Sequence, residues 1–157
     1  MRARNIVGAV LLGAVIAVSV PASAFAATSG TEHFKLVFTS QTGSGSIFAG
    51  GVFTAGGTDY QGNKVDEAVF PGGTFKIHHG AIHTTFKFNQ KTCRGELKGS
   101  GPYTLGNGYG DYAKIKGSGT ARVQGFIATG RNANGTCNFR DTSAYALFVT
   151  ASGPVAF

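Results

Sequence analysis

TFKIHHGAIHTTFKFN, residues 74–89, is the stretch that decides the fold. Phe75 and Ile77 alternate with Lys76 and His78, and beyond Gly80 the pattern resumes with Phe86 and Phe88 on either side of Lys87. A period of two marks a strand with one buried face, whereas a helix repeats its apolar positions every three or four residues. The spacing predicts two antiparallel strands, 74–79 and 82–89, with Phe75, Ile77, Phe86 and Phe88 inward. Gly80, Ala81 and Ile82 would join them in a hairpin.

The same reading extends outward. Upstream, Pro71-Gly72-Gly73 is turn chemistry that stops a strand at 67–70. Residues 47–54 read as a strand with a bulge at Gly50-Gly51, and 33–39 places Phe34, Leu36 and Phe38 on one face. Downstream come 94–103, 117–129 and 142–151, the last aligning Tyr145, Leu147 and Val149. The predicted fold class is therefore all-β: an eight-stranded antiparallel β-barrel of up-and-down type, whose closure removes exposed edges. A two-sheet sandwich is the alternative. Eight strands suit either a filled interior or one open to a single small ligand.

The N-terminus reads differently. Arg2 and Arg4 precede an apolar run from Ile6 to Val20, followed by Ala22-Ser23-Ala24-Phe25-Ala26, the three parts of a secretory signal peptide. The run is short for a bilayer span, which takes ~20 residues, so residues 1–26 are expected to be a cleaved signal and 27–157 a single secreted, extracellular domain with no membrane span. Cys93 and Cys137 are the only cysteines, and in an exported chain an even pair predicts a disulfide. The twelve basic residues outside the signal stand singly against seven acidic ones. That spacing suits outward strand positions and a mild attraction to anionic cell-surface polymers, and it argues against a nucleic-acid partner, which would want a basic cluster with stacking aromatics.

Chemistry-bearing residues are few. His78, His79 and His83 are three of the four histidines and are the only candidates for a metal, but adjacent residues of a strand face opposite ways, so no metal site and no cofactor are expected. The carboxylates Asp59, Asp66, Glu67, Glu96, Asp111 and Asp141 are scattered, with no pairing legible. The glycine-rich run 105–119 is followed by a strand-like segment, where a phosphate cradle needs a helix. Asn134-Gly135-Thr136 matches a glycosylation sequon and equally a hairpin turn.

Phe70-Pro71-Gly72-Gly73-Thr74-Phe75, Gly101-Pro102-Tyr103-Thr104-Leu105, Gly108-Tyr109-Gly110-Asp111-Tyr112-Ala113, Gly117-Ser118-Gly119-Thr120 and the ending Ala151-Ser152-Gly153-Pro154-Val155 resemble the small secreted actinobacterial proteins grouped with the allene oxide cyclase-like barrels, of the dirigent superfamily. The resemblance implies an eight-stranded barrel whose apolar cavity confines a reactive intermediate for cyclisation or coupling. No cyclase motif maps residue by residue, so fold alone carries the analogy. The expected function is binding of a small apolar molecule or a cell-surface component. The alternatives are a cofactor-free cyclase or isomerase with His78, His79, Tyr103, Tyr109 or Tyr112 as polar handle, and an inhibitor of an extracellular hydrolase presenting 54–65 or 106–116 as a rigid loop.

Overall fold

The computed structural model describes residues 28–41 and 43–157; the expected signal peptide lies outside them. Nine antiparallel strands form one sheet: β1 (Ser29–Phe38), β2 (Ser44–Gly50), β3 (Thr54–Tyr60), β4 (Val65–Phe70), β5 (Gly73–His79), β6 (His83–Asn89), β7 (Arg94–Gly110), β8 (Lys116–Arg131) and β9 (Cys137–Ala156). Their order is β5-β4-β3-β2-β1-β9-β8-β7-β6, and β5 also pairs with β7. The β5–β7 ladder closes eight strands into a barrel and leaves β6 outside it.

The eight barrel strands are not the eight read from the sequence. Residues 54–60, expected to be part of a loop, form β3. Its inward positions are Ala55, Gly57 and Asp59, so no apolar alternation advertises it. Gly57 is required there: a Cβ would lie 2.2 Å from the Val69 carbonyl and 2.9 Å from the Phe70 ring. Likewise Gly50-Gly51 is no bulge. β2 ends at Gly50, and Gly51, with φ +151°, turns the chain where a Cβ would strike the Thr31 carbonyl.

The expected hairpin within 74–89 is also corrected. β5 and β6 do not pair with each other; both run along the same edge of β7, β5 against Tyr103–Gly110 and β6 against Arg94–Ser100. Residues 80–82 interrupt this line opposite Gly101 and Pro102. Proline has no N–H to give the ladder, and only the Gly80 N–H to Pro102 carbonyl bond crosses there.

Past the barrel rim, β6 and the adjoining parts of β7, β8 and β9 continue as a four-stranded tongue. Residues 137–146 of β9 pair with β8 alone, because β1 reaches only to Leu147. Phe86 and Phe88 therefore belong to the tongue, not the barrel interior. Its tip is tied by the Cys93–Cys137 disulfide, with S–S 2.07 Å and Cα–Cα 5.4 Å. The two sulfurs join the start of β7 to the start of β9 across the end of β8.

Candidate functional site in the open half of the barrel

One half of the barrel is solid. Phe53, Phe70, Phe75, Tyr112 and Phe157 meet with ring centroids 5.2–6.0 Å apart, and Phe34 packs above them. These edge-to-face and offset contacts suit aromatic quadrupoles. Glu32 is buried in this half, and its carboxylate accepts the backbone N–H groups of His33 and Phe53 at 3.1 and 3.0 Å.

The other half is hollow. A cavity of about 280 Å³ is walled by Phe34, Leu36 and Phe38 of β1, Ile77 and His79 of β5, Tyr103 and Leu105 of β7, Ala121 and Val123 of β8, and Leu147, Val149 and Ala151 of β9. Ile82 closes one side. The space exists because inward positions of β7–β9 here are small: Gly101, Gly119, Ala121 and Ala151. Gly119 also leaves the room that Tyr103 occupies, since a Cβ would sit 2.8 Å from its hydroxyl.

Polar groups gather at one side of this wall, where Gln61, Asp66 and His79 reach the cavity. His79 Nε2 lies 3.5 Å from Asp66 Oδ1, and the Gly62 N–H donates to the same oxygen at 2.9 Å. On the same inward face, Asp59 stands opposite Ala68 and Gly45. It is fully buried, with no hydrogen-bond partner for either carboxylate oxygen. Burial, and secondarily the nearby Asp66 charge, pushes its carboxyl from an ordinary 3.8 up to about 7. The Tyr103 hydroxyl is buried and unpartnered too; burial raises its pKa, and Glu32 adds to the effect.

The structure separates the sequence candidates. His79 and Tyr103 line the cavity. Tyr112 lies in the aromatic floor, and Tyr109 is 75% exposed on the outer surface. His78 faces outward beside Asn107, with 3.4 Å between His78 Nε2 and Asn107 Nδ2, and His83 is exposed opposite Ser100. The three histidines are thus not brought together, and among the described residues no three His, Cys, Asp or Glu side chains gather as metal ligands. Asp59 and Asp66 were missed as a pair. Their proximity follows from the β3–β4 register, Asp59 against Ala68 with Asp66 two residues on, and β3 itself was hidden. The Asn134-Gly135 pair forms a turn, with Gly135 at φ +79° and Asn134 Oδ1 accepting the Thr136 N–H.

Comparison with protein families, curated proteins and solved structures finds no match. The reading of the site rests on its geometry.

Proposed function

We propose that the protein is exported and binds one small, mainly apolar molecule in the open half of its barrel. The observation that carries this is a partly enclosed cavity whose wall is hydrocarbon except at Gln61, Asp66 and His79. Such a site suits a ligand with an apolar body and a single polar end, the usual division of labour in small-molecule pockets. A disulfide, and the lack among the described residues of a helix long and apolar enough to cross a membrane, are compatible with an extracellular location. The resemblance to allene oxide cyclase-like barrels agrees with a ligand-holding interior.

A second reading is favoured by one specific observation. Asp59, poised near neutral pH, and the His79–Asp66 pair place proton-exchanging groups on the inward face beside an otherwise apolar space, which suits a cofactor-free cyclase or isomerase. The inhibitor reading loses its loops, since 54–60 is strand β3 and 106–110 the end of β7.

The test is mass spectrometry of lipophilic material extracted from protein recovered from the medium of cells that express the full chain. One stoichiometric compound with an apolar body supports the binding reading. Protein that carries nothing and also fails to take up an apolar fluorescent probe overturns it. Conversion of the extracted compound by the wild type, and not by an Asp59→Asn variant, selects the catalytic reading.

A further inference from the structure

Basic residues that look evenly scattered along the chain are concentrated by the fold. The β6–β7 side of the tongue carries Lys87, Lys91, Arg94 and Lys98, and its β8–β9 side Arg122, Arg131 and Arg140, against Glu96 and Asp141 alone. In the remainder of the chain after residue 26, Lys35, Lys64, Lys76, Lys114 and Lys116 are equalled by Glu32, Asp59, Asp66, Glu67 and Asp111. The barrel is therefore electrically balanced, and the whole surplus, seven positive charges less two negative, sits on the tongue.

The tongue also exposes aromatic rings. Phe86 is 54% and Phe139 60% exposed, and Phe88 lies between them, 6.2 Å from the first ring and 4.7 Å from the second. Leu97, Ile127 and Tyr145 continue this apolar strip to Leu147, which also lines the cavity. A contiguous exposed apolar strip on a protein of this size marks an interaction surface.

The partner that fits must be apolar and anionic at once. A second copy of the chain fails the second condition, because it would bring a like-charged tongue against this one. A soluble polyanion fails the first, because it leaves the rings in water. A bilayer bearing anionic headgroups meets both: rings settle at the acyl boundary while lysines and arginines stay among the phosphates. We infer that the tongue docks on anionic phospholipid membrane with Phe86, Phe88 and Phe139 at the interface, the apolar strip leading from the bilayer to the cavity. The disulfide and Arg131, whose guanidinium donates to the Gly135 and Lys91 carbonyls, keep the tip from fraying. Docking does not require an occupied cavity, so it stands or falls separately from the ligand.

The test is co-sedimentation of the protein, recovered from culture medium, with phosphatidylcholine vesicles prepared with and without phosphatidylglycerol, at low and high salt. Binding is expected only to the anionic vesicles and is expected to weaken with salt. Each basic residue at the surface strengthens it about fivefold, so Arg140→Glu is expected to weaken binding tenfold or more. The doubly substituted Phe86→Ser, Phe139→Ser protein is expected to lose at least tenfold while keeping its circular dichroism spectrum and its uptake of an apolar probe. Loss on these substitutions also separates the tongue from any uncleaved N-terminal segment. No vesicle binding, equal binding to neutral vesicles, or anionic binding unchanged in the Phe variant each overturns the inference, as does a concentration-dependent dimer that the Phe substitutions dissolve.

Discussion

Asp59 is the residue at which structure and solution behaviour can be compared most directly. An unpaired carboxyl pushed from 3.8 up to about 7 by burial makes the folded protein hold a proton that the unfolded chain has released. Between these two values the folded state binds more protons, so stability falls as pH rises from about 4 to about 7 and then levels off. A change of this size corresponds to about 4 kcal/mol, a large part of the ~5–15 kcal/mol of a typical domain. Asp59→Asn keeps the shape and removes the ionisation. We expect it to be nearly neutral at pH 4 and stabilising by about 3 kcal/mol at pH 8, a rise of roughly 10 °C in melting temperature for a domain of this size. Urea unfolding followed by circular dichroism at pH 4, 6 and 8, with the disulfide intact, reads both quantities. Removing the neighbouring charge in Asp66→Asn should act in the same direction but more weakly, since Asp66 is the lesser cause of the shift. If wild type and Asp59→Asn give parallel stability curves across this range, the carboxyl is not buried without a partner and the reasoning fails.

Filling the cavity from the small side, with Ala121→Phe, is expected to abolish uptake of an apolar fluorescent probe while the melting transition stays cooperative; full uptake would place the ligand elsewhere. In the solid half, Phe75→Ala empties a fully buried site and should cost about 3–5 kcal/mol in urea unfolding, against less than 1 kcal/mol if the floor collapses around the gap. Replacing Cys93 and Cys137 together by serine releases a closure between residues 44 apart and should cost about 4 kcal/mol on the chain-entropy account, measured as the gap between the two unfolding midpoints. Because that bridge fixes the tip of the tongue, backbone amides of residues 128–131 and 137–142 should lose hydrogen-exchange protection before those of the barrel do.

Strand alternation, turn residues and the even pair of cysteines were enough to give an all-β barrel and its disulfide, because each is a local signal that survives without knowledge of the partner strand. β3 carried no such signal. Its inward residues are Ala55, Gly57 and Asp59, chosen by how closely Phe70 and the Val69 carbonyl approach, which only the neighbouring strand reveals. The same holds within 74–89: the alternation was legible, but whether Gly80 folds the chain back or lets it run on depended on β7 being long enough to serve both β5 and β6, and on Pro102 standing opposite the break. His79 and Tyr103 were visible as candidates; that they share a cavity with Asp66 was decided by register. Pairing across strands is likewise what gathered scattered cations onto one tongue, since residues far apart in the chain become neighbours about 5 Å apart in a sheet. Periodicity along the chain told which face each strand would bury; only the closed sheet decided what that face would enclose.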